Sequence, residues 1–225
     1  MTESDWLVCA SPAPMLDCLK ETGQADDFRL RLFGAACCRR VWQYMRDERS
    51  RDGVRLAECV TLEQPVIGFV SKGCFEAYTG ERNGSPAEFY AAEAAALLFI
   101  NISDAATCAA QSAAMLGGSI LNSALGRERL AQAALVRCIF GTLFRPLQPL
   151  DPSLLTWNGG VVLKLAQAAY DERLMPSGEL DPGRLAVLAD ALEDAASSDE
   201  QLLRHLRSEG PHARGCVAVD AILGL

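Results

Sequence analysis

Residues 27–49, Asp27-Phe-Arg-Leu-Arg-Leu-Phe-Gly-Ala-Ala-Cys-Cys-Arg-Arg-Val-Trp-Gln-Tyr-Met-Arg-Asp-Glu-Arg49, decide the fold class. At about 100° per residue, Phe33, Tyr44, Cys37, Leu30, Val41, Gly34 and Met45 gather in one arc of roughly 120°. Arg31, Arg46, Arg39, Gln43, Arg29 and Arg40 fill the opposite side. The spacing predicts one long surface helix with a single buried stripe that takes in Cys37.

The flanking segments read as helix too. Ser4-Asp5 is expected to cap a short first helix, and residues 14–21 a second that stops at Gly23. A break is expected near Gly53, with further turns through Val60. Residues 61–84 differ: Pro65, Gly68, Gly73, Gly80 and Gly84 interrupt short apolar groups, which predicts an irregular insertion of loops and short turns, or a small hairpin. Ser85-Pro86-Ala87-Glu88 then places Ser at N-cap, Pro at N1 and Glu at N3. This starts an alanine-rich helix to about Asn101, followed by another from Ser103 to about Leu116, weakened by Gly117-Gly118, and a third over 127–140.

In the C-terminal third, Leu150-Asp-Pro and Leu180-Asp-Pro each offer Asp as N-cap and Pro as N1, ahead of helices over 161–173 and 184–196. Ser197-Ser-Asp-Glu caps a short helix over 200–207, which Gly210-Pro211 ends. Residues 214–223 are apolar nearly all round, so the last helix is expected to be buried and to plug the core. The chain therefore reads as an all-α, single-domain multi-helix bundle over 1–225. It comprises N-terminal helices (1–60), the irregular 61–84 insertion, alanine-rich helices (85–145) and a C-terminal helical subregion (150–225).

Half of the 225 residues are hydrophobic and 22% charged, as in ordinary globular proteins. Only 7% are aromatic, so alanine-lined helices must pack closely. The net charge of −8 opposes general nucleic-acid binding, which depends on neutralising phosphates. Between 29 and 55, however, eight arginines face only Asp47, Glu48 and Asp52, a local net of +5. The longest apolar run, 94–100, is far too short to span a bilayer, and the N-terminus has no basic-then-apolar export signal. Nine cysteines at irregular spacing, without Cys-x-x-Cys, read as reduced thiols in a cytoplasmic protein.

Neutral-pH bases are scarce, since His205 and His212 are the only histidines. His205 sits near the end of a short helix, where a structural or solvated role is expected. His212 precedes Cys216 by four residues; a metal there needs two more ligands from distant segments, Cys37 or Cys38 for instance. Those two point about 100° apart on a helix and suit one metal poorly. No metal and no cofactor is therefore assigned, and His212, Cys216 and Cys38 stand only as candidate reactive groups. Asp220 is an acid inside the apolar final helix, costly to bury unless paired. Arg39, Arg40 and Arg214 are its candidate salt-bridge partners. The acidic strip Asp190, Glu193, Asp194, Asp199 and Glu200 reads as solvated surface, and Gly117-Gly118-Ser119 and Asn158-Gly159-Gly160 lack the pattern of a phosphate loop.

Several blocks carry a resemblance: Met1-Thr-Glu-Ser-Asp-Trp-Leu, Leu30-Arg-Leu-Phe with Ala36-Cys-Cys-Arg-Arg-Val-Trp, Asp47-Glu-Arg-Ser-Arg, Ile139-Phe-Gly with Phe144-Arg-Pro, Tyr170-Asp-Glu-Arg, Leu188-Ala-Asp-Ala-Leu-Glu-Asp-Ala and Gly210-Pro-His-Ala-Arg-Gly-Cys. Together they resemble a family of alanine-rich helical proteins expanded in planctomycete bacteria, for which no activity is established. The resemblance implies a helical, cytoplasmic-type module and carries over no catalytic residue; residues 61–84 depart from the family pattern. The expected function is a non-enzymatic interaction or scaffold module with a protein partner, its alanine-rich middle and Arg-lined helix being the contact surfaces. The alternatives are a hydrolase or thiol-dependent enzyme using His212 with Cys216, Cys38 or Asp220, and nucleic-acid contact through the 29–55 face.

Overall fold

A computed structural model describes residues 1–59, 64–114 and 121–225. These form twelve α-helices and no sheet, an all-α architecture. In order they are α1 (Glu3–Val8), α2 (Pro12–Glu21), α3 (Asp27–Arg39), α4 (Glu48–Ala57), α5 (Gln64–Gly80), α6 (Pro86–Leu97), α7 (Ile102–Ala114), α8 (Leu121–Phe140), α9 (Pro152–Asp171), α10 (Pro182–Asp194), α11 (Glu200–Leu206) and α12 (Val217–Leu223). They fall into two compact units, Met1–Ala133 and Ala134–Leu225, with the boundary inside α8.

In the first unit, the expected long helix over 27–49 is two helices. α3 ends at Arg39, a short 3-10 turn spans Trp42–Tyr44, and Asp47 starts α4 by accepting the Arg49 amide. A hydrophobic stripe cannot register such a break, because Val41 and Met45 are buried on either side of it. Nor is α3 a one-sided surface helix: residues 32–39 are buried all round, with α4, α6 and α7 packed against it. Gly53 does not break α4 but lies within it, because a Cβ there would collide with the Cys74 sulfur on α5.

The irregularity expected over 61–84 is also corrected, residues 61–63 lying outside the described set. Gln64–Gly80 is one 17-residue helix, followed by a 3-10 turn at Glu81–Asn83. Pro65 falls in the first turn, where a missing N–H costs nothing. Val70, Cys74 and Ala77 recur at helical spacing and are buried, with α4 and α6 packed against α5; this offsets roughly 1 kcal/mol per interior glycine. The Ser85–Glu88 capping box that opens α6 forms as expected. Ala91, Ala92 and Ala94–Ala96 on α6, with Ala105, Ala106, Ala109 and Ala110 on α7, are buried, so these alanines are core. Gly117-Gly118 lies outside the described residues.

The second unit is organised by Asp-Pro caps. Asp151 accepts from Ser153, and Asp181 from Gly183 and Arg184, opening α9 and α10. Trp157–Gly160 interrupts α9 with three consecutive left-handed residues, Asn158, Gly159 and Gly160. Leu185, Leu188 and Leu192 of α10 meet Val162, Ala166 and Tyr170 of α9 in one apolar cluster; each buried leucine contributes about 1.5–3 kcal/mol. The closing helix is shorter than expected, seven residues, but Ala218, Val219, Asp220 and Ile222 are buried in that cluster's surroundings as a plug.

Candidate functional site

The chemically richest place lies in the second unit, where the end of α8, the end of α11 and the approach to α12 converge. Asp199 caps α11 by accepting the Leu202 amide, and buried Leu202, Leu203 and Leu206 fix its roll, which leaves His205 in the last turn. The chain then turns through Gly210 (φ +82°), where a Cβ would sit 2.9 Å from the His212 nitrogen, so only glycine fits. The Leu180 amide donates to the His212 carbonyl at 2.9 Å and pins the loop. Cys216 follows as N-cap residue of α12, its amide bonded to the Ala213 carbonyl.

One donor atom from each of Cys138, His205, His212 and Cys216 lies within 4.8 Å of all the others. His212 Nδ1 is 3.6 Å from Cys138 Sγ, and His205 Nε2 is 3.2 Å from Cys216 Sγ. The two imidazoles meet edge to face at 5.0 Å between centroids. His212 Nε2 lies 3.1 Å from both the carbonyl and the hydroxyl of Ser208. A proton on Nε2 donated to that carbonyl leaves the Nδ1 lone pair pointing at the sulfurs. Beside the cluster, the Tyr170 hydroxyl donates to Asp220 Oδ1 at 2.5 Å and accepts the Gly215 amide at 3.2 Å.

Cys138, His212 and Cys216 share protons unequally. Burial opposes a thiolate at Cys216, but hydrogen bonds from Cys138, His205 and His212 together pull its pKa well below the ordinary thiol value. Cys138 is pushed up, by its hydrogen bond to Cys216 and then by burial. Burial disfavours a charged His212, yet Cys216 and the Ser208 carbonyl raise its pKa overall. Such a set can hold a soft or borderline metal ion, or activate a thiol beside an imidazole. Access decides between them: Cys216 is 0% and His212 2% exposed, and only His205 reaches solvent.

The structure brings together His212 and Cys216 as candidates, with Asp220 one helical turn on and linked through Tyr170. Cys38 is not among them; it is buried in the first unit, where burial pushes its thiol far up. The donor atoms beside His212 and Cys216 are those of Cys138 and His205, and not of Cys37 or Cys38, the distant cysteines weighed for a metal site that the sequence did not assign. In the sequence Cys138 reads as one of nine reduced thiols and His205 as a structural or solvated group near a helix end. Three soft donors within twelve residues, His205, His212 and Cys216, were the available signal. Arg39 and Arg40 have their own acids: Arg39 grips Glu58 at 2.7 and 2.9 Å, and Arg40 grips Glu128 at 2.8 and 3.1 Å. Arg214 lies over the Tyr170 ring, 5.8 Å from its centroid.

The basic face over 29–55 is neutralised locally. Arg29 meets Asp26, Arg46 meets Glu88, Arg49 meets Asp47 and Glu76, Arg51 meets Glu48, and Arg55 meets Glu48 and Asp52. Arg31 donates to the carbonyls of Ala57 and Cys59. On the second unit, Asp190 and Glu193 clamp Arg207. A hollow of about 370 Å³ is lined by Leu165, Ala168, Asp181, Gly183, Arg184 and Val187. Its two charged residues are occupied, Asp181 in capping α10 and Arg184 with Glu172. No helix among the described residues is long and apolar enough to cross a membrane. Set against family profiles, curated proteins and solved structures, the chain matches none.

Proposed function

We propose that this chain is a non-enzymatic helical interaction or scaffold module, acting in the cytoplasm on a protein partner. The observation that carries the reading is closure. The place where a thiol, two imidazoles and a carboxylate converge is core: Cys216 is fully buried and Asp220 is 8% exposed. An enzyme of this kind needs those groups around a concave, substrate-sized pocket. The hollow beside Val187 holds none of them.

Further observations support the same reading. The 29–55 arginines are paired with acids or carbonyls, whereas nucleic-acid binding draws on cations free to replace counterions. Phe69, Phe75, Ile100 and Met175 remain exposed and supply apolar contact area. None of the nine cysteines is in a disulfide, as suits a reducing compartment. The resemblance to the alanine-rich planctomycete family points to a bacterial module of this type.

Alkylation with iodoacetamide, mapped by peptide mass, tests the reading. Cys59, the exposed thiol, is expected to react first and half-buried Cys9 next. Burial raises Cys74 to about 11 and Cys108 to about 12, so neither competes at neutral pH. Cys216 is expected to stay unmodified in the folded chain; labelling of Cys216 ahead of Cys59 would overturn the reading. Crosslinking in the native cell is expected to join the chain to a protein in fixed stoichiometry, and exclusive crosslinking to RNA or DNA would sink that half.

A further inference from the structure

We propose that Cys138 Sγ, His205 Nε2, His212 Nδ1 and Cys216 Sγ hold one zinc ion in a closed tetrahedral site that fastens the end of α8 to α11 and to the segment entering α12.

The donor set selects the ion. Two sulfurs and two imidazole nitrogens in one cluster suit zinc, while the hard oxygen ligands that calcium and magnesium require are missing from the donor set. Distance agrees with chemistry. Bonds of about 2.3 Å to sulfur and 2.0–2.1 Å to nitrogen put tetrahedral ligand atoms about 3.3–3.8 Å apart. The measured Cys138–His212 and His205–Cys216 separations are 3.6 and 3.2 Å. Closing the remaining pairs from within 4.8 Å needs side-chain shifts of about 1 Å or less.

Orientation points the same way. Histidine ligands donate their second nitrogen to a carbonyl or carboxylate, which fixes the ring and the tautomer. His212 does so to the Ser208 carbonyl at 3.1 Å, and its free Nδ1 faces the sulfurs. A cluster held together by hydrogen bonds alone satisfies its four polar tips, three of them buried, only weakly, because a thiol is a poor donor and acceptor. A metal satisfies all four at once. Four protein ligands leave no open position for water, the arrangement of structural and not catalytic zinc.

The fastening follows from position. Cys138 lies 67 positions before His205 in the chain, while the other three donors fall within twelve residues. One ion therefore ties a distant helix end to a compact ligand-bearing segment. Because ligand binding and folding share one free energy, removing the ion should loosen residues 200–216 first.

The test uses the full chain purified without chelators. Elemental analysis is expected to find one zinc per chain, and Co2+ exchange to give the visible absorption of a tetrahedral site with a thiolate charge-transfer band. Cys138→Ser and Cys216→Ser should each lose about half of that band and bind Co2+ at least ten-fold more weakly. His205→Gln, at the partly exposed edge, is the variant best able to fold; it should keep both thiolate contributions and still bind about ten-fold more weakly. A folded wild-type chain without zinc that leaves Co2+ octahedral would overturn the site, as would unchanged metal content in Cys138→Ser. Trypsin should cut the chelator-treated chain faster at Arg204, Arg207 or Arg214; an unchanged digestion rate would overturn the fastening role. These outcomes are separate from the interaction reading: a zinc-bearing chain with a reactive Cys216 would sink that reading and leave the metal site standing.

Discussion

Tyr170 and Asp220, fifty residues apart, meet at 2.5 Å, hydroxyl to carboxylate, and the same hydroxyl accepts the Gly215 amide at 3.2 Å. One phenol thus joins α9 to α12 and to the stretch between His212 and Cys216. Burial, and then the charge of Asp220, push its ionisation far upward, so it remains a donor at any physiological pH. Tyr170→Phe keeps the ring beneath Arg214 and removes both bonds. It should cost about 1–3 kcal/mol in urea unfolding and about ten-fold in Co2+ affinity by chelator competition. An unchanged midpoint and affinity would show that the phenol only fills space.

Arg39 and Glu58 form a buried bidentate pair, with Arg39 side-chain exposure of 3%. The guanidinium also faces the Trp42 ring at 4.8 Å. Arg39→Ala removes both of these bonds from a carboxylate buried in the first unit, and a loss of about 3–5 kcal/mol is expected. Adding Glu58→Ala should restore part of that loss, giving a coupling energy that a double-mutant cycle reads directly. Simple additivity would mean that the pair contributes no mutual stabilisation.

Glycines in α4 and α5 should respond oppositely to alanine. At Gly53 a Cβ meets the Cys74 sulfur, so Gly53→Ala should destabilise by about 1–3 kcal/mol through overpacking. At Gly68 and Gly73 a Cβ meets nothing within 4 Å. Gly68→Ala and Gly73→Ala should therefore each stabilise by about 0.4–1 kcal/mol, by restricting the unfolded chain. Thermal melts of the three variants decide it; a stabilised Gly53→Ala would contradict the packing described between these helices.

Acid sensitivity should report the α6 cap. The Ser85 amide, at 2.8 Å, and after it Arg46 hold the Glu88 carboxyl below its ordinary range, against some desolvation. Its folded pKa thus lies under the unfolded value of about 4.3. The stabilisation is complete above that value and is lost as pH falls through the folded pKa. Denaturant midpoints of the chelator-treated chain should drop between about pH 5 and pH 3, and Glu88→Gln should flatten that drop. Parallel curves for wild type and variant would rule Glu88 out as a contributor.

Local chemistry was legible and long-range convergence was not. The caps at Ser85, Asp151 and Asp181 could be read because N-cap, Pro and acid act within four residues of one another. The helix break at Arg40–Asp47 escaped because Val41 and Met45 keep the apolar rhythm across it, and α5 escaped because its glycines outweigh a stripe of only Val70, Cys74 and Ala77. The four-residue spacing of His212 and Cys216 makes their proximity visible in the sequence, and their donor atoms do lie within 4.8 Å of each other. Cys138 could not be joined to them, since nothing local distinguishes a ligand cysteine from one lodged in a core. Asp220 was recognised as costly, but its phenolic partner on α9 is a tertiary fact.

Among the four convergent donors, His205 alone touches solvent, and it stands on the last turn of a helix only seven residues long. An ion entering the proposed site would therefore pass this imidazole, with the two sulfurs buried behind it. Exchange of that ion would then depend on how α11 holds the His205 ring, and substitutions elsewhere in α11 would alter it without touching any proposed ligand.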